Sequence, residues 1–265
     1  MFDDFEEMSL FSARLILEQA LHFIQKKDIF TLVLSGGSTP VRLFELLAHD
    51  DMFKPMPWKK THVFWGDERL VPRASEHSNF RLAWNKLLSK VEIPENNVHP
   101  MHVELDNPEE NAERSEQELK DFFRIRNSVQ EDEQTESRFP CLDFIILGVG
   151  QDGHTASLFP GDPALTETSR LITPVPAPDM SPSVPRLTMT LPVLNNAETV
   201  LFLVSGRNKN PVLRQILDSA TDSSLPAGLV RPGRKTIWLV HPPFDAGHAQ
   251  KMKKNPNFEI VTHKN

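Results

Sequence analysis

The chain lacks the features that announce several large functional classes. It holds a single cysteine, Cys141, which excludes an intramolecular disulfide and any metal centre built on cysteine pairs, and fits a reducing compartment. Cys141 lies just before an apolar run, where packing explains it better than reactivity does. No apolar stretch approaches the roughly 20 residues that a membrane-spanning helix needs. The first residues, Met1–Glu7, are acidic and carry neither the basic region nor the apolar core of a secretory signal. The ten histidines show no His-Glu-x-x-His spacing, so no metal ligand set stands out. A nucleophile elbow is also missing, which leaves a serine acyl-enzyme without support. There is no internal repeat and no linker that would divide the chain. The formal charge of −7 argues against a surface that coats nucleic acid or anionic membrane through its overall field. The expectation is a cytoplasmic protein, a monomer or small homo-oligomer, with no nucleic-acid or membrane partner.

What the chain does have is alternation. Hydrophobic residues make up 39% and charged residues 25%, ordinary for a soluble globular protein. Helical spacing predicts a helix over 9–26 with Ser9 as its cap, then a strand over 29–34 and a helix over 41–48 with Pro40 in its first turn. A strand over 61–66 precedes a helix over 80–88 capped by Ser78 or Asn79, and 98–103 reads as a short strand. Residues 107–126 form a charged helix, and 127–138 an exposed acidic connection. A buried strand spans 142–147, and the proline-rich stretch 173–185 reads as an irregular loop. Strands over 186–192, 199–204 and 236–240 follow, with a helix over 211–217 and an edge strand over 258–261. This pattern predicts the α/β class: a Rossmann-like parallel sheet with helices on both faces, right-handed crossovers, and room for a small antiparallel region at one edge. One domain over 1–265 is expected.

The polar residues gather where strands end. After the first strand comes Ser35-Gly36-Gly37-Ser38-Thr39-Pro40, a turn that aims backbone N–H groups, a helix N-terminus and two hydroxyls at one point, as a phosphate requires. It lacks the lysine of a Walker loop and the third glycine of a dinucleotide fingerprint. After the second strand stand Asp67, Glu68 and Arg69, which would be a solvated loop in isolation but at a sheet's carboxyl edge could hold a polar ligand. After the buried strand comes Gly148-Val149-Gly150-Gln151-Asp152-Gly153-His154, where glycines let the backbone turn sharply beside an acid and a base. Alone, an Asp-Gly-His triplet is more often a helix cap and a polar loop residue. Lys209 follows a later strand, and Arg186 could join the set. As chemistry this is an anion cradle beside a carboxylate–imidazole pair. His154 could act as general base on water with Asp152 orienting it, and Arg69 could stabilise an oxygen as negative charge develops. The residues by themselves imply hydrolysis or proton transfer on a small phosphorylated substrate and do not name it.

Taken together, Ser35-Gly-Gly-Ser-Thr-Pro40, Trp65-Gly-Asp-Glu-Arg-Leu-Val-Pro72, Ser78-Asn79, Leu147-Gly-Val-Gly-Gln-Asp-Gly-His-Thr-Ala-Ser-Leu-Phe-Pro160 and Arg186-Leu-Thr-Met-Thr-Leu-Pro192 closely resemble the 6-phosphogluconolactonase family. The motifs recur in that family's order from about Thr31 to Leu239. The resemblance implies hydrolysis of 6-phospho-D-glucono-1,5-lactone to 6-phospho-D-gluconate, with a sugar-phosphate lactone as partner and neither metal nor organic cofactor. It implies His154 as base, with Asp152, Arg69 and Asp67 in its support, and Gly37, Ser38, Thr39, Arg186 and Lys209 toward the phosphate. The rival is glucosamine-6-phosphate deaminase/isomerase, whose Asp-Gly-His turn continues Ile-Ala-Phe-Asn-Glu-Pro with a glutamate that supports the histidine. Here the continuation is Thr155-Ala-Ser-Leu-Phe-Pro160, so Phe159 stands where that acid would be. A non-catalytic sugar-phosphate binding module is the third reading, and the intact acid, base and arginine speak against it. Two departures from the family pattern are His241-Pro242-Pro243 after the last central strand and Asn210 after Lys209.

Overall fold

A computed structural model describes residues 1–130, 139–218, 224–242 and 259–260. Six parallel strands form the main sheet: β1 (Phe30–Leu34), β2 (Thr61–Trp65), β4 (Phe144–Leu147), β7 (Thr199–Ser205), β8 (Lys235–His241) and β9 (Glu259–Ile260), in spatial order β2-β1-β4-β7-β8-β9. Three further strands, β3 (Asp67–Arg69), β5 (Ile172–Val175) and β6 (Arg186–Met189), form a separate antiparallel sheet in the order β3-β6-β5. The helices are α1 (Phe5–Lys27), α2 (Val41–His49), α3 (Asn79–Lys86), α4 (Pro108–Gln130), α5 (Leu191–Asn195), α6 (Asn210–Asp218) and α7 (Pro226–Leu229).

The central strands are apolar on both sides because both faces are covered, as parallel sheets require. Successive side chains point to opposite faces. Phe144 and Ile146 of β4, with Leu201 and Leu203 of β7, join a cluster with Ile16, Phe44 and Leu47 from α1 and α2. Ile145 and Leu147, with Val200, Phe202 and Val204, join the opposite cluster, which holds Ala112 and Leu119 of α4 and Leu187 and Met189 of β6. The antiparallel sheet thus belongs to the second face, against α4. Within the main sheet the chain runs outward from β1 to β2 and then returns to the other side of β1 with β4. The reversal of order between β1 and β4 opens a crevice at their carboxyl ends, where ligands of open α/β sheets bind.

Several sequence expectations are corrected. Asp4, not Ser9, caps α1, accepting from the Glu6 N–H at 2.8 Å; Ser9 lies inside the helix and donates to the Phe5 carbonyl. Residues 98–103 form no strand and contribute one bridge, Val98 to Val63. Helix α4 runs on to Gln130, so 127–130 are helical, while 131–138 lie outside the described residues. The stretch 173–185 is not wholly irregular, since 173–175 belong to β5 with Pro174 inside it. Pro174 is tolerated because β5 is an edge strand. The small antiparallel region that the sequence left room for is present, as the three-stranded sheet β3-β6-β5. No described helix is long and apolar enough to cross a membrane.

Candidate active site

Three consecutive strands of the main sheet, β1, β4 and β7, deliver the turns that line one cleft of about 410 Å³. From β1 come Gly36, Gly37, Ser38 and Thr39, and from β4 come Gly148, Gly150 and His154. Lys209 arrives from a 3₁₀ turn, Arg207–Lys209, after β7. Asp67, Arg69 and Arg186 close the far side from the antiparallel sheet, where Arg69 and Arg186 are register partners. Of the site residues that the family resemblance implies, all but one line this cleft. The exception is Asp152, which stands behind the imidazole.

The acid–base pair is built by its own turn. Asp152 Oδ1 accepts from the His154 N–H at 3.1 Å and meets His154 Nδ1 at 2.6 Å. A carboxylate on Nδ1 fixes the neutral ring as the Nδ1–H tautomer and leaves the Nε2 lone pair available. Gly150 makes room for this, because a Cβ there would lie 2.1 Å from His154 Nδ1 and 2.4 Å from Asp152 Oδ1. The Thr155 hydroxyl, donating to the Gly148 carbonyl at 2.8 Å, ties the two ends of the turn together. Phe159 packs on the imidazole with ring centroids 4.7 Å apart, and its other neighbour is Arg186, whose guanidinium lies 5.4 Å from the ring centroid.

The cationic bank is held in place with donors to spare. Arg69 Nη1 donates to the His77 carbonyl at 2.7 Å, and Arg186 Nη2 to the Pro182 carbonyl at 3.1 Å. The Nε atoms of both are buried and have no hydrogen-bond partner among the described residues. Both guanidiniums line the cleft and bring two positive charges to one wall of it. Burial lowers the pKa of Arg186, opposed by Asp67 and reinforced by Arg69, and a guanidinium remains charged regardless. Burial also lowers the pKa of Lys209, while Asp152 pulls the other way. Asp67 is buried between the cations and the core, taking the Ser157 hydroxyl on Oδ2 at 2.6 Å.

Glu68 departs from the expectation that all three charged residues face a ligand. It turns inward and accepts the backbone N–H groups of Arg69, Asn79 and Phe80 and the Ser78 hydroxyl. Burial raises its pKa against the pull of those N–H groups. Its work is to fasten β3 to the start of α3, where Ser78 is the cap. Sequence reasoning passed over Ser157, Asn79 and Gly36 as site residues. Each lies in a quoted motif, but nothing local says that Ser157 and Asn79 converge on Asp67.

A second group of titratable side chains lies away from the cleft. His99 meets His62 at 3.1 Å and Glu118 at 3.1 Å, and His102 meets Glu118 at 3.2 Å and Glu104 at 2.6 Å. Among the described residues no group of histidine, cysteine or acidic side chains could hold a metal.

Residues 3–238 match the family described as glucosamine-6-phosphate isomerases/6-phosphogluconolactonase. The chain is 41% identical over 240 residues to a 6-phosphogluconolactonase of Synechocystis sp., covering 87% of this chain and 93% of that protein. It is 37% identical over 244 residues to the human 6-phosphogluconolactonase, covering 91% and 89%. The crystal structure of 6-phosphogluconolactonase from Thermotoga maritima superposes with a TM-score of 0.75 at 35% identity, covering 90% of this chain and 96% of that one.

Proposed function

The chain belongs to the glucosamine-6-phosphate isomerase/6-phosphogluconolactonase family, and on that premise we propose that it hydrolyses 6-phospho-D-glucono-1,5-lactone to 6-phospho-D-gluconate in the oxidative pentose phosphate pathway of the cytoplasm. The observation that carries this reading is the Asp152–His154 pair, with its Nε2 unclaimed, in a cleft that Ser38, Thr39, Arg69, Arg186 and Lys209 also line.

The phosphate monoester is held by the backbone and hydroxyls of Gly37, Ser38 and Thr39 and by Lys209 and Arg186. Gly37 has φ +86°, a conformation that favours glycine, and with Ser38 and Thr39 it lines the cleft. That anchor places the lactone C1 within reach of His154. Nε2 takes a proton from water as the water oxygen bonds to C1, and negative charge moves to the carbonyl oxygen. Arg69 stabilises that oxygen, with Asp67 fixing the charge balance of the two guanidiniums. The C1–O5 bond then breaks, the imidazolium returns its proton to O5, and the new carboxylic acid loses its proton to solvent. Asp152 stabilises the imidazolium between these steps. A lactone opens slowly in water by itself, so positioning, one base and one oxyanion partner suffice.

Phe159 separates this from aminosugar chemistry. A phenyl ring packed on His154 can neither orient the imidazole nor relay a proton, as the deaminase's glutamate does. The test is direct: 6-phosphogluconolactone and glucosamine 6-phosphate are supplied in turn, and acid production and ammonia release are followed. Hydrolysis without ammonia is expected, with unphosphorylated gluconolactone a poor substrate. Ammonia release, or equal efficiency on both lactones, overturns the proposal.

A further inference from the structure

Asn79 carries no charge, yet it touches both banks of the cleft. It is the first residue of α3, 2% exposed, and it lies between the glycine-hydroxyl turn and β3. Its Nδ2 donates to the Asp67 carbonyl at 2.9 Å and to Asp67 Oδ1 at 3.3 Å. Its backbone N–H donates to Glu68 Oε1 at 2.8 Å. Both partners of Nδ2 are acceptors, so the orientation of the amide is fixed and Oδ1 points the other way. There Oδ1 is buried without a hydrogen-bond partner. An unpaired buried carbonyl oxygen is a cost that calls for an explanation.

Gly36 supplies it. A Cβ on Gly36 would lie 1.8 Å from Asn79 Oδ1, 2.4 Å from its Cγ and 2.9 Å from its Nδ2, and these are its three nearest neighbours. Gly36 is not among the residues with positive φ, so its backbone does not demand glycine. What demands glycine is the carboxamide seated directly on its Cα, at the range of a weak C–H···O contact. The amide therefore spans the gap from the turn to Asp67 with no slack on either side.

We infer that Asn79 is a positioning residue. It sets the separation between the Gly36–Thr39 turn and the strand pair that carries Asp67, Arg69 and Arg186, and so couples the grip on the phosphate to the placement of the lactone carbon before His154. The inference rests on the proposed lactonase reading, in which one substrate spans both banks. A displacement of about 1 Å can cost on the order of 100-fold in rate when reacting groups must be aligned.

The test uses Asn79→Ala, Gly36→Ala and the double variant, each checked for folding by its melting temperature. The readout is the ratio of kcat/KM on 6-phosphogluconolactone to that on unphosphorylated gluconolactone. Loss of the spacer should lower this ratio about tenfold or more in each single variant, because only the phosphorylated substrate uses both banks. The double variant should fall no further than Asn79→Ala alone, since the new methyl group enters the space left by the amide; residues in contact are non-additive. Equal losses on both lactones would make Asn79 a merely structural residue and overturn the inference, as would additive losses in the double variant. If Asn79→Ala does not fold, Gly36→Ala decides alone, and an unchanged ratio in that folded protein overturns it. If the wild-type protein hydrolyses neither lactone, the lactonase reading fails by itself. The spacer is then judged by the rise in melting temperature that inorganic phosphate produces, which must be smaller in Gly36→Ala than in wild type.

Discussion

Two aspartates flank the same strand and live opposite lives. At the amino end of β4, Asp143 is fully buried, and its carboxylate takes the Thr31 N–H at 2.8 Å and the Lys27 ammonium. Its own N–H goes to the Thr31 hydroxyl at 2.8 Å. Past the carboxyl end, Asp152 has a side chain 39% exposed and gives Oδ1 to one imidazole. The histidines repeat the contrast. His99 has both ring nitrogens engaged, by His62 and Glu118, and is stacked on Phe64 at 4.5 Å. His154 has one engaged and turns the other toward a cleft. Burial and hydrogen bonding are found in both regions, so neither identifies function. The difference lies in which polar groups are finished within the protein and which are left waiting for a ligand.

The comparison is sharpened most by removing the waiting base. His154→Ala should lower kcat by about 10²–10⁴-fold, the usual contribution of a positioned general base, while 6-phosphogluconate still binds by calorimetry and the melting temperature holds. Unchanged turnover would remove the base assignment. The finished site should behave in the opposite way. Asp143→Ala removes the buried carboxylate that takes the Lys27 ammonium and the Thr31 N–H and should cost about 3–5 kcal/mol of stability, read from the denaturant midpoint, with kcat of the folded protein intact. A catalytic defect there would erase the distinction between the two ends of the sheet.

Lys209 is the intermediate case, half-buried and on the waiting side. Because burial lowers its pKa below the ordinary 10.5, its charge is lost as pH rises before the usual lysine range is reached. Affinity for 6-phosphogluconate should therefore weaken on the alkaline side earlier than a solvent-exposed lysine would dictate. Lys209→Gln should abolish that dependence and weaken binding about tenfold at neutral pH, in keeping with one charged hydrogen bond. The smallest effect belongs to the finished histidine cluster. Burial works to raise the Glu104 carboxyl, but the bond to His102 and the Val103 N–H hold it at about 2. A depressed carboxyl stabilises the fold above the ordinary value of 4.5 and loses that contribution as pH falls toward 2. Glu104 is about half exposed, so Glu104→Gln should cost under about 1 kcal/mol at neutral pH and flatten the acid limb of the stability curve.

The waiting side was also the more legible in the sequence. Gly37, Ser38, Thr39, Asp152 and His154 sit in short turns whose chemistry is written within a few residues, and strand alternation predicts the parallel sheet around them, though not its order. What escaped was decided at a distance. Residues 98–103 have strand-like composition, yet their pairing with β2 stops at the Val98–Val63 bridge and the His99 N–H donated to the Val63 carbonyl. The 173–185 stretch looked irregular because it is rich in proline, but an edge position excuses Pro174. Glu68 looked like a ligand holder because nothing in Asp67-Glu68-Arg69 says which charge turns inward; the N-terminus of α3 settles that. Ser78 and Asn79 were equal candidates for the cap of α3, and the cap is Ser78; Asn79 acquires its place only when α3, β3 and the turn after β1 meet.

The three-stranded sheet has a further consequence during synthesis. Arg69 finds its register partner, Arg186, only after most of the chain has been made, and Lys209 comes later still. A polypeptide leaving the ribosome therefore carries its glycine-hydroxyl bend long before the opposite wall exists. A translation product that stops short of β6 should neither sequester the metabolite nor be rescued by it. Ligand can stabilise only molecules whose pairing is complete, so a rise in metabolite concentration would favour survival of finished copies over stalled ones.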